Sequence, residues 1–130
     1  MAITPDELLS YAESLAGAPR EVAVRAAASR AYYAAFHRCD PLAATLPDSG
    51  AGRRGVHQQV IARLAGFMGE PGERRDLIRK LGELLQQAKN LRTRADYYVD
   101  RDFTAMDARV TLSYAETIRR LVKMLVGNDS

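Results

Sequence analysis

The chain has 130 residues, 47% hydrophobic and 27% charged, with 19 Lys and Arg against 16 Asp and Glu for a formal net charge of +3. That length suits a single domain over 1–130, and the composition excludes a disordered chain while leaving enough apolar material for a core. No run approaches the roughly 18 apolar residues that cross a bilayer, and the start, with Asp6, Glu7 and Glu13, lacks the basic-then-apolar pattern of a secretory signal, so a cytoplasmic protein away from membranes is expected.

Helix signals follow in chain order. Thr4 stands as a cap, Pro5 at the first helical position, and Glu7 completes a capping box. A first helix is predicted over 5–15, with Leu8, Leu9, Ala12 and Leu15 at helical spacing and Gly17 ending it. The stretch 19–38 is rich in alanine and has no internal Gly or Pro. Val22, Ala26, Ser29, Tyr33 and Phe36 trace one stripe along this second helix, and Asp40-Pro41 is read as its break. Pro47, Asp48, Ser49, Gly50, Gly52 and Gly55 make the next stretch a loop.

Val56, Val60, Ile61, Leu64 and Phe67 predict a third helix over 56–65, followed by a turn at Glu70-Pro71-Gly72. Leu77, Leu81, Leu84, Leu85, Ala88 and Leu91 form the apolar face of a fourth over 73–94. Thr104, with Asp107 three residues on, caps a last helix over 105–126 that carries Val110, Tyr114, Ile118, Leu121 and Leu125. Five amphipathic helices with short connections and no β-alternation predict an all-α, up-and-down helical bundle.

The lone Cys39 excludes an internal disulfide and has no Cys or His neighbour at metal-ligand spacing, so neither a metal nor a cofactor is expected. The cations are nearly all arginine, the lysines being Lys80, Lys89 and Lys123. An arginine-rich surface reads phosphate or carboxylate through a planar fork, or simply solvates the fold.

Three segments stand in the order of one family. Ser29-Arg30-Ala31-Tyr32-Tyr33-Ala34-Ala35-Phe36-His37 is similar to the signature helix of small stand-alone HEPN proteins. Arg54-Gly55-Val56-His57 is similar to the start of their third helix, and Leu91-Arg92-Thr93-Arg94-Ala95-Asp96-Tyr97 resembles the Leu-Arg-x-x-Ala-Asp-Tyr end of their fourth. The resemblance implies a HEPN-like bundle, often a homodimer, that binds RNA or nucleotides and works beside a small nucleotidyltransferase in toxin-antitoxin or defence systems. It also implies an alternative, because catalytic members are metal-independent endoribonucleases carrying Arg, four to six residues, then His. Arg30 and His37 meet that spacing, although Ala31 stands where active members usually carry a polar residue.

Seven helical residues turn through about 700°, which puts Arg30 and His37 on one face about 10.5 Å apart along the axis. In a composite dimer site His37 would exchange a proton with the ribose 2′-hydroxyl or the leaving 5′-oxygen, and Arg30 would stabilise the phosphate. Further candidates for RNA or nucleotide contact are Tyr33 as a stacking ring, Arg53 and Arg54 before the third helix, His57 in its first turn, and Arg92 and Arg94 as an anion pocket. Each has a plain alternative: core packing for Tyr32, Tyr33 and Phe36, a solvated loop for Arg53 and Arg54, and an ion-pair turn with Asp96 for Arg92 and Arg94. Two classes stay open, a non-catalytic partner module and a ribonuclease toxin.

Overall fold

The computed structural model describes residues 3–48 and 55–127. Over these residues it has five α-helices and no strand: α1 Pro5–Ala16, α2 Glu21–Ala44, α3 Val56–Ala65, α4 Glu73–Tyr97 and α5 Ala105–Val126. Both capping boxes form. Thr4 Oγ1 accepts from Glu7 N at 3.1 Å while Thr4 N donates to Glu7 Oε1 at 3.0 Å, and Thr104 and Asp107 repeat the exchange at 3.1 and 3.0 Å. The turn before α4 ends on Gly72 at φ 152°, a backbone angle that a side chain strongly disfavours.

The second helix departs from its expected form in three ways. It begins at Glu21, with Arg20 as N-cap, because Pro19 stays in the preceding turn. It also continues through Pro41 to Ala44 instead of breaking there. A helical proline deprives the carbonyl four residues back, here His37, of its donor and costs about 3 kcal/mol. Leu42, Ala43 and Leu46 are buried just beyond it, and fully burying a leucine returns about 1.5–3 kcal/mol, so packing holds the extra turn. Finally, the stripe is different. Val22 is 75% exposed, whereas Val24, Ala27, Ala28, Ala31, Tyr32, Ala34, Ala35, Phe36 and Cys39 are buried.

Burial on so many sides follows from position, since α2 packs against each of the other four helices. Alanines are what let several helices approach one axis. The main core joins Tyr32, Leu64, Ile78, Leu81, Leu85 and Ile118. A smaller core of Ala16, Val24, Ala27, Ala28, Ala95, Phe103 and Ala108 lies toward the start of α2. Burial of Ala95 there carries α4 past the expected end at Arg94 to Tyr97. The helices α3 and α4 approach closely at Gly82, where a Cβ would stand 2.4 Å from Ala65 N.

Arg25 seals the end of α4. Its side chain, 11% exposed, donates to the carbonyls of Arg94 (3.3 Å), Ala95 (2.9 Å), Tyr98 (3.3 Å) and Arg101, and pairs with Glu21 at 2.9 Å. A cation at a helix C-terminus satisfies carbonyls that the helix leaves open and offsets the negative end of its dipole. Among the described residues, no helix is long and apolar enough to cross a membrane.

Candidate anion-binding site where α2, α3 and α4 meet

The mid-section of α2 presents Ser29, Tyr32, Tyr33 and Phe36 at three- and four-residue spacing toward α3 and α4, while Arg30 and His37 lie on its exposed outer side. From the last turns of α4 comes Arg92, whose Nη2 donates to Tyr33 Oη at 2.6 Å. The guanidinium lies over the rings of Tyr33 (5.2 Å), Tyr97 (5.5 Å) and Tyr32 (5.8 Å), within cation–π range. Arg92 Nε sits 3.0 Å from Asp96 Oδ2, which also accepts from Ser29 Oγ at 3.2 Å. The Nε–H is not aligned on that oxygen and has no hydrogen-bond partner among the described residues, so the pairing there is one of charge.

His57 enters from the first turn of α3. Its ring stacks on Phe36 at 4.1 Å between centroids, and its Nδ1 lies 2.6 Å from the Tyr32 hydroxyl. His37 flanks the same aromatics, 5.3 Å from Phe36 and 6.3 Å from Tyr33. Burial first, then the charges of Arg92, Lys89 and His37, push the His57 pKa below its ordinary 6.5, against the opposing pull of Asp40. The ring therefore stays neutral more readily than a free imidazole. Lys89 stands beside it, donating to Gln58 Oε1 at 3.1 Å.

The sequence candidates separate on this geometry. Tyr33, His37, His57 and Arg92 come together around Phe36 and Tyr32. Tyr32 and Phe36, at 0% and 5% exposure, are core residues, whereas Tyr33 is half-buried. Arg30 is exposed and makes no hydrogen bond or ion pair to a described residue. Arg94 turns away to pair with Asp107 at 3.5 Å and to lie over Phe103 at 5.7 Å, tying α4 to α5. Arg53 and Arg54 lie outside the described residues.

Sequence reasoning missed one member of the site, Lys89, and two long-range contacts. Lys89 precedes Arg92 by three residues on one helix and was legible as a face-sharing pair of cations. The link from Tyr32 to His57 spans 25 positions and leaves no sequence signal. Nor does the role of Arg25, whose partners stand 69 to 76 positions away. Burial pushes the Cys39 thiol up to about 12, so it is no nucleophile at neutral pH. Among the described residues no group of three or more His, Cys, Asp and Glu is arranged to hold a metal.

The arrangement can hold an anion. Arg92 and two imidazoles flank aromatic faces beside the exposed side of α2, with Lys89 one turn before Arg92 on α4 and Asp96 already engaged by Arg92 and Ser29. Searches of protein-family models, curated proteins and solved structures found no match to this chain.

Proposed function

We propose that the chain is a HEPN-like, non-catalytic partner module that binds phosphates of RNA or nucleotides where α2, α3 and α4 meet. As the sequence resemblance implies, it would form a homodimer and work with a small nucleotidyltransferase in a toxin-antitoxin or defence system. The observation that carries the binding reading is the grouping of Arg92, His37 and His57 around the rings of Tyr32, Tyr33 and Phe36, with Lys89 one turn before Arg92 on α4, which gathers positive charge there against Asp96 and Asp40. Such a field attracts phosphate before any specific contact is made, and rings such as Tyr33 suit base stacking.

A second reading, endoribonuclease, is favoured by one observation: Arg30 and His37 share the exposed side of α2. In that reaction the ribose O2′ attacks phosphorus as His37 takes its proton, the P–O5′ bond breaks, O5′ takes a proton from water, and His37 returns its own proton to the hydroxide so formed. The products are a 2′,3′-cyclic phosphate and a 5′-hydroxyl. Arg30 stabilises the added negative charge on the phosphorane oxygens.

One experiment separates the readings. Labelled single-stranded RNA is incubated with wild type, Arg30→Ala and His37→Ala, and both retardation on native gels and cleavage on denaturing gels are scored. A partner module retards RNA without cutting it. Cleavage by the wild type that both substitutions abolish, with cyclic phosphate ends, establishes the nuclease instead. No retardation and no cleavage refutes both.

A further inference from the structure

The surroundings of His57 deepen the binding reading, on which the following rests for its ligand. The two nitrogens of this imidazole differ. Nδ1 faces the Tyr32 hydroxyl at 2.6 Å, whereas Nε2, on the opposite edge of the ring, makes no hydrogen bond to a described residue. The distance alone allows either Nδ1–H donating to the phenol or the phenol donating to Nδ1.

Burial decides between them. Tyr32 is wholly buried, and its hydroxyl has no other partner among the described residues. If Nδ1 carried the proton, the phenol hydrogen would be enclosed without an acceptor, the costly half of the asymmetry in hydrogen bonding. Burial also raises the Tyr32 pKa well above its ordinary 10.0, so the phenol keeps its proton and can donate it. Nδ1 therefore accepts, and the hydrogen of the neutral ring sits on Nε2.

The rest of the cluster supports the same state. Phe36 stacks on the ring and fixes its plane. Arg92 and Lys89 on α4 and His37 on α2 face it with positive charge, Asp40 on α2 with negative, and the balance disfavours a second proton. A protonated ring would also need Nδ1–H, which displaces the phenol from its only acceptor. We infer that Tyr32 locks His57 as a neutral imidazole whose Nε2–H is a standing hydrogen-bond donor to a phosphate oxygen of the bound RNA. Tyr32 is a positioning residue on this account, and His57 a phosphate-binding one.

The chain has two histidines, so His37→Gln leaves His57 as the only imidazole, and long-range proton–nitrogen NMR can read its tautomer directly. The expected spectrum shows Nε2 protonated and Nδ1 bare at about pH 8, with uptake of the second proton displaced below the ordinary midpoint of 6.5. A proton on Nδ1 of the neutral ring overturns the inference, and this measurement needs no change at Tyr32.

Tyr32→Phe in the same background keeps the ring and removes the donor. His57 should then titrate nearer its ordinary range. Affinity for a labelled single-stranded RNA should strengthen several-fold more between about pH 7.5 and about pH 5.5 than in the parent, because a newly gained charge joins the site. Equal pH profiles for the two proteins overturn the lock. Absence of RNA binding by the wild type refutes the proposed function and the donor role together, whereas normal binding with the wrong tautomer refutes the lock alone.

Discussion

Replacing Gly82 by alanine tests the α3–α4 contact on which the position of His57 depends. A Cβ there would stand 2.4 Å from Ala65 N, 2.7 Å from its Cα and 2.8 Å from its Cβ. Carbon contacts are best at about 3.5–4.0 Å, so the helices must part by about 1 Å. Overpacking of this kind costs about 1–3 kcal/mol, and the upper end applies because the obstacle is backbone that cannot rotate away. Alanine returns about 1 kcal/mol of helix propensity relative to glycine. The net loss is about 1–2 kcal/mol, which for a domain of this size lowers the melting temperature by about 5 °C. Thermal unfolding followed by circular dichroism at 222 nm measures it. Adding Ala65→Gly should rescue only part of the loss, since it removes the Cβ and leaves the nitrogen and Cα in place. A melting temperature equal to or above the wild type for Gly82→Ala would refute the close approach.

Arg25→Ala should destabilise the fold by about 1.5–3 kcal/mol in urea titrations, because the hydrogen bonds from a charged group to the carbonyls at the end of α4 are lost. A loss below about 0.5 kcal/mol would show the cap to be solvated. The depressed His57 pKa gives a pH dependence of known sign. Above its ordinary 6.5 the ring is neutral in folded and unfolded chains alike, but as pH falls from 6.5 toward the lower folded value the unfolded chain takes up a proton that the fold resists. Stability therefore falls over that window, and His57→Gln should flatten that part of the profile of unfolding free energy against pH.

Features written in neighbouring residues were legible in the sequence. Thr4 with Glu7 and Thr104 with Asp107 fixed two helix starts, and the apolar periodicity of α3, α4 and α5 placed each of them to within a few residues. The second helix was harder, for a physical reason. A helix packed by four others has no single apolar stripe, so a periodic reading chose Val22 over Val24 and a proline rule stopped the helix six residues early. Burial of Leu42 and Leu46 overrides the local cost of Pro41, and that burial depends on distant partners.

The candidate site divides along the same line. His57, Tyr33, His37 and Arg92 were visible as residue types able to meet phosphate, and local motifs singled them out. Their convergence depends on the crossing of α2 with α3 and α4, whereas the separation of Arg94 from Arg92 follows from the helical period alone. Two positions along a helix turn the side chain through about 200°, so Arg92 faces the aromatic cluster and Arg94 faces Asp107. Gly82 has no side chain to announce its role.

The central claim, that phosphate is held where α2, α3 and α4 meet, is tested most directly by the salt dependence of RNA binding. Fluorescence anisotropy of labelled single-stranded RNA is titrated at several salt concentrations with wild type, Lys89→Ala and Arg74→Ala. Arg74 lies near the other end of α4, about 27 Å from Arg92 along the axis, and serves as a remote cation. If Lys89 meets a phosphate, its loss should weaken binding several-fold and reduce the slope of log affinity against log salt by about 0.7, while Arg74→Ala leaves both unchanged. Binding that is indifferent to Lys89→Ala but weakened by Arg74→Ala would place the phosphate elsewhere and contradict the account.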